Sequence, residues 1–495
     1  MESSHPTEKA PLLIQQQSST GSSPAPESES SSSSARGRAR LTETVLNLAK
    51  TCAGTGCLAL PYACKQGGAL VFVTGLLAIA AWNVYGVDRL VRCARMIQHH
   101  TQSNVNNTVQ LPRHDSDEPD TTTLTSTNLP QSASSSHQQS SSSQSPPPST
   151  ASTLGKVAWV ACGGSQGLLV MDIMMVILLL GIVISYLSAV ISFLSDTPLT
   201  LGPIWDALIV ALCMACLSMV PDLGYLSKAS AIGLAVLGAT FAVITGYGIF
   251  AEHETHDNDA PPLLDNDSSI PTVPLWPLSL VGLSRFFGVC VFGYGVVPLT
   301  FNFQESMKEP HRMVEATWIA MTLVAIGYSL IGVVLLALFG GNVQGEVLHE
   351  LPAGGWLPTV TRLAMASVCI MTAPLIIVPT GELIEAKLEI AASQSSGSTS
   401  NQHHKEYRYL VRGGVCLVSA IVAVLLPTFV QVLSFVGCLC VGLVGFVVPP
   451  FLHLRLMHLK SSNGSLACTS PTIFVDVVML VWGLMATIVG TYLTI

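Results

Sequence analysis

The sequence predicts an all-α polytopic membrane protein. Of its 495 residues, 49% are hydrophobic and only 11% are charged, whereas soluble domains carry about 25% charged residues. The mean hydropathy is +0.53 even though two long tracts are strongly polar. Long apolar runs with few charges are typical of transmembrane helices, so an ordinary soluble protein is excluded.

Two polar tracts divide the chain. Residues 1–40 and 98–153 are rich in Ser, Pro and Gln and have few side chains that can build a core, so we predict that both are disordered. The segments 41–97 and 154–495 hold the membrane helices. The polar start of the chain also predicts that no cleavable signal peptide is present.

Eleven apolar segments are long enough to cross a bilayer. Their expected limits are 43–64, 69–95, 167–194, 203–222, 229–250, 279–304, 313–340, 357–386, 412–429, 431–458 and 472–493. Only residues 427–431 can form the turn between the ninth and tenth segments, so one shared long hairpin is the alternative there.

The basic residues predict the orientation. With the N-terminus in the cytoplasm, eighteen of the 22 Lys and Arg residues lie on the cytoplasmic side, as the positive-inside rule requires. The loop 251–276 carries six acidic residues and no basic one, which suits an outer loop. Asn266 in that loop is therefore the glycosylation candidate among three Asn-x-Ser/Thr sites.

Composition argues against several other classes. Nearly all of the 13 cysteines lie in apolar runs and have no metal-site spacing, so we interpret them as small apolar residues. The His pairs at 99–100 and 403–404 lie in polar loops, and there is no basic cluster for nucleic acid. We expect no enzyme activity, no metal and no cofactor.

Two of the eleven segments contain paired glycines followed by a proline. Gly54 and Gly56 precede Pro61 in the first segment, and the sixth has Gly293 and Gly295 before Pro298. Interrupted helices at matching positions of two halves, five spans apart, indicate a transporter built from inverted repeats with its site at mid-membrane. The alternative is that these residues only permit close packing and kinks.

An amino-acid zwitterion matches the chemistry of such interruptions. Free N–H groups at a half-helix N-terminus suit its carboxylate, and free carbonyls suit its ammonium group. The candidate substrate-binding residues are Thr51, Gly54, Thr55, Gly56, Tyr186, Cys290, Phe292, Gly293 and Tyr294. Tyr186 could equally be plain packing. Because neither interruption contains an acidic residue, we expect neutral amino acids as substrates.

Several stretches resemble a known family. They are 47–68, which ends in LPYACKQGG, together with PDLGYL at 221–226, MKEP at 307–310, TAPL at 372–375 and LPTF at 426–429. Over about 42–493, without the Ser-rich tract, the chain resembles the amino acid/auxin permease family of the APC superfamily. Vacuolar exporters and proton-coupled amino acid transporters are the most similar branches. The resemblance implies eleven helices, a LeuT-like five-plus-five inverted repeat and secondary transport of amino acids.

The resemblance also bears on the coupling ion. Sodium-coupled relatives have Asn at the position of Lys50 and Thr at that of Thr372. A lysine ammonium can occupy the space of a sodium ion, and a buried lysine loses its proton readily, so we expect coupling to protons. Proton-coupled relatives carry His at the position of Asn47, which leaves the proton route unassigned. Sodium coupling, or Lys50 merely extending toward the cytoplasm, is the alternative.

Other charges lie near the ends of the segments. Asp172, Arg285 and Arg362 are expected to anchor helices at the membrane interface. A further three acids, Glu305, Glu382 and Glu385, are expected either to be solvated or to gate by pairing with Lys308 or Lys387.

The N-terminal tail contains a candidate sorting signal. Glu8, Leu12 and Leu13 resemble an acidic dileucine motif, which adaptor proteins read when sorting to lysosomes or vacuoles. We therefore favour a vacuolar or lysosomal membrane over the plasma membrane. The long polar tracts leave one alternative function open, an amino-acid-sensing transceptor that moves little substrate.

Overall fold

The described part of the chain is almost entirely helical. The structure, a computed structural model, describes residues 39–109, 152–219, 223–257, 274–277, 279–340, 343, 345–352, 354–395, 401–426, 428–462 and 470–494. Within these ranges the only β-type pairing is one isolated bridge between Ala39 and Met307. Glu8, Leu12, Leu13 and Asn266 lie outside the described residues.

Seven α-helices precede the acidic loop. They are α1 Leu41–Cys52, α2 Leu60–Gly67, α3 Ala69–Val109, α4 Thr153–Cys162, α5 Ser165–Ser195, α6 Pro203–Ser218 and α7 Leu223–Asp257. A short 3-10 helix, Thr55–Ala59, lies between α1 and α2.

Nine α-helices follow the loop. They are α8 Leu280–Gly293, α9 Thr300–Ser306, α10 Met313–Phe339, α11 Trp356–Thr372, α12 Pro374–Ser395, α13 Asn401–Leu425, α14 Phe429–Val436, α15 Val448–Ser462 and α16 Ser470–Thr494. Short 3-10 helices occur at Val297–Leu299, Pro310–Arg312 and Val347–Glu350, and π-helical turns, Gly437–Val441 and Leu443–Val447, join α14 to α15.

Within the described ranges, nine helical stretches are long and apolar enough to cross a membrane. They are Ala69–Gln98, Ser165–Ser195, Ile232–Phe250, Leu280–Ser306, Pro310–Phe339, Trp356–Leu388, Tyr407–Leu425, Phe429–Ser461 and Pro471–Thr494. The apolar helix α6 is shorter. This finding confirms the prediction of an all-α polytopic membrane protein.

Three helix boundaries differ from the expected limits. Helix α3 continues to Val109, beyond the expected limit at residue 95, and so enters the Ser-rich tract 98–153. Helix α4 lies before the expected third segment and is separated from α5 by Gly163 and Gly164, whose positive φ angles of 81° and 104° end the helix. Thr428 caps α14, so α13 and α14 are separate helices rather than one hairpin.

Burial identifies the centre of the bundle. The most apolar window of Phe429–Ser461 is 78% buried and that of Leu280–Ser306 is 61% buried, against 22% for Pro471–Thr494. The two central segments touch through their backbones, because a Cβ at Gly288 would collide with the main chain of Ser434 and one at Gly437 with the carbonyl of Gly288. Only glycine permits this approach. Helix α16 lies at the periphery, with many of its apolar side chains exposed.

Candidate binding site at two interrupted helices

Both glycine pairs lie where a helix is interrupted. Helix α1 ends at Cys52, and Gly54 is extended (φ −116°, ψ −163°) before the 3-10 helix Thr55–Ala59 begins. Helix α8 ends at Gly293, and the chain turns through Tyr294 to Val296 before it becomes helical again. The interruptions predicted from the glycine pairs are therefore present in both segments.

The two interruptions lie against each other. A Cβ placed on Gly56 would be 3.2 Å from Cδ1 of Phe292 and 3.9 Å from Cα of Gly293. By contrast, no atom lies within 4 Å of a Cβ placed on Gly54. One glycine of the first pair closes the contact between the two segments, and the other borders open space.

Tyr328 of α10 joins both interruptions. Its hydroxyl donates to the carbonyl oxygen of Cys52 at 2.6 Å and to that of Gly293 at 3.2 Å. These are carbonyls at the C-terminal ends of α1 and α8, which have no complete set of partners within their own helices. The Tyr328 ring also packs edge-to-face on Tyr294, with 5.5 Å between centroids. Tyr328 was not among the predicted site residues, although a tyrosine hydroxyl inside an apolar span requires a partner.

Two hydroxyls at the interruptions have no partner within the described part of the chain. They are Oγ1 of Thr55 and the Tyr294 hydroxyl, both of which are buried. An unpaired buried hydroxyl costs free energy unless a ligand or water satisfies it. The interruptions thus combine helix ends of both polarities with unsatisfied hydroxyls, and this arrangement suits a small molecule that carries both an anionic and a cationic group.

Other candidate substrate residues lie away from the contact between the interruptions. Thr51 is exposed and its hydroxyl donates to the Asn47 carbonyl at 2.8 Å. Cys290 is fully buried and faces Cys64 of α2. Tyr186 is half-buried on α5 and lies near Cys369 of α11.

The candidate ion-coupling residues are not joined in this structure. Lys50 is half-buried in the last turn of α1 and has no hydrogen bond or ion pair with any residue that the structure describes. Thr372 ends α11, and its hydroxyl donates to Val368 in its own helix at 2.7 Å. Helix α12 begins two residues later at Pro374, so the chain is interrupted beside Thr372 as well.

Several charges differ from their expected roles. Arg362 is 1% exposed and donates to the carbonyls of Leu348 and Leu351 at 3.0 and 2.8 Å, so it is a buried structural residue and the interface-anchor prediction for it is wrong. Arg285 donates to the Tyr62 hydroxyl at 3.2 Å and so bonds across to α2.

The acidic residues also find partners that the sequence did not suggest. Lys387 pairs with Asp172 at 2.7 Å, which links α12 to α5. Glu385 lies 3.6 Å from Arg412 of α13 rather than pairing with Lys387. Glu305 accepts a hydrogen bond from Thr153 at 2.7 Å.

Residues 345–352, here called the cap segment, cover one end of the first interrupted span. Its 3-10 helix Val347–Glu350 packs against the 3-10 helix Thr55–Ala59. Lys65 at the end of α2 donates to the carbonyl of Val343 at 3.0 Å, just before the cap segment. Arg362 holds the segment from the side of α11, through the carbonyls of Leu348 and Leu351.

At the other end of the span, main-chain hydrogen bonds hold the start of α1. The Ala39 amide donates to the Ser306 carbonyl at 3.0 Å, and the Lys308 amide donates to the Ala39 carbonyl at 2.9 Å. Residues of the first and sixth segments are thus joined directly beyond the interruptions.

An apolar cavity of about 420 Å³ lies beside the first interruption, between α1, α7 and α10. Ala53, Cys57 and Tyr328 line its inner wall. Leu234 and Leu323, which are exposed, line its outer part, so it opens toward the apolar periphery of the bundle. We therefore do not assign it to a zwitterionic ligand.

Comparison with known proteins identifies a family. The model of the family "Transmembrane amino acid transporter protein" matches residues 37–495. The chain is 28% identical to amino acid transporter AVT3A of Arabidopsis thaliana over 214 residues, which cover 43% of this chain and 45% of that protein.

Other relatives match comparable or shorter shares of their length. Amino acid transporter ANT1 of Arabidopsis thaliana is 25% identical over 43% of this chain and 49% of that protein. Vacuolar amino acid transporter 3 of Saccharomyces cerevisiae is 24% identical over 40% of this chain and 28% of that protein. Each alignment spans less than half of the relative. All of these proteins are transporters rather than enzymes. The chain belongs to the transmembrane amino acid transporter family.

Proposed function

We propose that this protein is a proton-coupled secondary transporter of neutral amino acids in a vacuolar or lysosomal membrane. The observation that carries the proposal is the contact between the two interrupted helices. Gly54 borders open space there, Tyr328 ties the two helix ends together, and the hydroxyls of Thr55 and Tyr294 are unsatisfied. Half-helix N-termini would receive the substrate carboxylate, and half-helix C-termini its ammonium group.

The proposed architecture has eleven spans. It adds α6 and the interrupted α1–α2 segment to the nine long stretches. The interrupted first and sixth segments then occupy equivalent positions in a LeuT-like five-plus-five inverted repeat. In this arrangement the N-terminus is cytoplasmic, the cap segment faces the lumen or the outside, and the bridge at Ala39 lies on the cytoplasmic face.

Proton coupling is proposed on the basis of Lys50. Its ammonium group has no partner among the described residues, so it is free to contribute positive charge at the ion site of sodium-coupled relatives. The lack of acidic residues at the interruptions favours neutral substrates. Vacuolar location is supported by the relative from yeast, which carries that description, and by the tail motif at Glu8, Leu12 and Leu13.

The test is amino-acid flux in proteoliposomes with a pH gradient and a sodium gradient imposed separately. Flux driven by pH alone is expected, with neutral amino acids preferred over arginine and lysine. Flux driven by sodium alone would overturn proton coupling and implicate Thr372 in a metal site. Saturable binding without flux under either gradient would favour a transceptor.

Variants at Lys50 sharpen this test. If the ammonium group serves coupling, Lys50→Ala should uncouple amino-acid flux from the pH gradient while exchange of amino acids continues. Lys156→Ala is the matched control, since Lys156 of α4 is also half-buried but lies outside both interrupted segments. Full pH-driven flux in Lys50→Ala would refute the role of Lys50.

A further inference from the structure

A carboxylate is buried in the cap segment. Glu346 is 2% exposed, and neither of its carboxylate oxygens has a hydrogen-bond partner within the described residues. The closest basic atom is Nε2 of His349, at 3.3 Å from Oε1. An ionised carboxylate in such a place is strongly disfavoured unless a cation compensates it.

The groups around Glu346 come from three elements. The 3-10 helix that follows Glu346 supplies His349, whose Nδ1 lies 2.5 Å from Oδ2 of Asp196 at the end of α5. Helix α5 also supplies Ser192, whose hydroxyl is 3.0 Å from Nε2 of His349. Helix α11 supplies Arg362, which is 3.4 Å from Asp196, and Cys369.

The nearby cations do not compensate Glu346 fully. The guanidinium N–H groups of Arg362 bind main-chain carbonyls and Asp196 instead of Glu346. His349 is shared between Asp196 and Glu346. Burial raises the pKa of the Glu346 carboxyl to about 7 from its ordinary 4.5, and the positive charges of His349 and Arg362 offset this rise only in part.

A second buried acidic cluster serves as a contrast. Asp476 of α16 lies 2.6 Å from both Arg89 and His453 and accepts a hydrogen bond from Tyr85. Its charge is therefore compensated on every side, and we assign it a structural role. Glu346 has no such set of partners, so a proton is the ligand that can neutralise it.

We propose that Glu346, together with His349, is a proton-binding site that controls closure of the cap segment over the substrate site. This proposal rests on the proposed function, since it places the cap segment on the lumenal or outer face. The cap segment contacts Thr55–Ala59, the 3-10 helix that contains Thr55 and Gly56. A neutral carboxyl permits this contact, whereas an ionised carboxylate favours withdrawal of the segment into water.

The sign of the pH effect follows from the two protonation states. In the closed structure the pKa of Glu346 is about 7, and in a solvated, open cap segment it returns to its ordinary 4.5. At pH values between 4.5 and about 7, closure of the cap segment therefore takes up a proton. In that range the equilibrium constant for closure falls about tenfold for each rise of one pH unit. Closure is favoured fully at lower pH and lost as pH rises through about 7. An acidic lumen would favour the closed cap segment.

The experiment is amino-acid exchange in proteoliposomes that contain the full chain, with the same pH on both sides. Exchange needs no proton gradient, so its pH dependence reports closure rather than driving force. Between about pH 5 and about pH 8, we expect the apparent substrate affinity of the wild type to fall. Glu346→Gln, which keeps the shape of a neutral carboxyl, should retain its affinity across this range. Glu382→Gln, at an exposed carboxylate of α12, is the control and should behave as the wild type.

A second measurement covers the case in which Glu346→Gln does not transport. Hydrogen–deuterium exchange of residues 345–352 in nanodiscs, taken as the ratio of variant to wild type at each pH, should fall as pH rises. A ratio that does not change with pH, or a Glu346→Gln variant whose affinity follows the wild-type pH profile, would overturn the proposal. Absence of any amino-acid flux in the wild type would instead refute the proposed function, and the deuterium measurement would still test the cap segment.

Discussion

Tyr328 shows how one side chain can organise the whole candidate site. It is buried in α10, and its single hydroxyl proton serves the ends of both α1 and α8. Carbonyls at helix ends within hydrocarbon need partners from outside their own helix. Tyr328 supplies one to each of these two, and the Gly54 amide also donates to the Cys52 carbonyl at 2.8 Å. Tyr328 therefore fixes the distance between two helix ends whose dipoles face the same small volume.

Replacing Tyr328 by Phe should impair transport with little effect on folding. The variant keeps the ring contact with Tyr294 but removes a hydrogen bond worth about 1 kcal/mol, which corresponds to a change of about fivefold. We expect the maximal flux to fall by about that factor, measured in proteoliposomes at equal protein density. Tyr492→Phe, at a side chain that is 79% exposed, is the control. Unchanged flux in Tyr328→Phe would show that the bridging hydroxyl is dispensable.

Gly54 allows the open space at the interruption to be tested directly. A methyl group there meets no atom within 4 Å, and the φ angle of −116° is accessible to alanine. Gly54→Ala should therefore fold with unchanged thermal stability. If substrate occupies this space, its KM should rise about tenfold, the equivalent of about 1.4 kcal/mol. Gly246→Ala in α7, which also meets no atom within 4 Å, is the control. A normal KM in Gly54→Ala would place the substrate elsewhere.

Sequence patterns indicated some residues of the candidate site and missed others. Gly54 and Gly293 were recognisable, because paired glycines and a following proline weaken a helix locally, whatever packs around it. Tyr328 and Glu346 were not, because each acts on residues distant in sequence. The tyrosine binds carbonyls of α1 and α8, and the burial of Glu346 depends on α5 and α11. Contacts between helices that are distant in sequence can be seen only in the folded structure.

At the scale of helices, glycines serve two separate purposes. Those at the interruptions end helices, whereas Gly288 and Gly437 let the main chains of the two central segments touch. Helix interruption and close packing therefore occur at different positions of the same helix, α8.

A substitution at the backbone contact should destabilise the fold. Gly288→Ala would drive a methyl group into the main chain of Ser434, with an expected cost of about 1–3 kcal/mol for overpacking. Its thermal transition in detergent should fall below that of the wild type. Gly238→Ala in α7 is the matched control, because no atom lies within 4 Å of its added methyl. Equal transition temperatures for the two variants would contradict the proposed packing.

Hydropathy predicted the long helices well and the short ones poorly. A window suited to bilayer thickness selects segments of about 20 residues. Helix α4, Thr153–Cys162, is too short for such a window, and its end depends on the backbone of Gly163 and Gly164. The extension of α3 to Val109 was missed because its sequence is polar, which composition alone cannot distinguish from a disordered tract.

At the scale of the whole molecule, charged pairs connect helices at the proposed cytoplasmic face. Asp172 and Lys387 link α5 to α12, and Glu385 and Arg412 link α12 to α13. Alternating access requires such contacts to separate in each cycle. The Asp172–Lys387 pair is partly exposed and therefore weak, which suits it to separate, whereas Glu385 and Arg412 are each only 7% exposed.

A double-mutant cycle on Asp172 and Lys387 tests whether this ion pair is weak enough to separate. The side chains are 15% and 33% exposed, so we expect a coupling energy of at most about 1 kcal/mol. Thermal transitions of Asp172→Asn, Lys387→Gln and the double variant would give this value. The single variants should also speed amino-acid exchange, since they ease separation at this face. Slower exchange would contradict a gating role.

Two main-chain hydrogen bonds at Ala39 connect the start of α1 to residues 306–308, so a force applied to the N-terminal tail would reach them first. Both bonds to the chain at Ser306 and Lys308 come from one residue, and α1 begins only two residues later at Leu41. A partner protein that bound the chain before Ala39 and pulled on it would put both of these hydrogen bonds under tension. If they broke, the force would act on the half-helix that ends at Cys52. A pull on the chain before Ala39 would therefore act directly on the first half-helix.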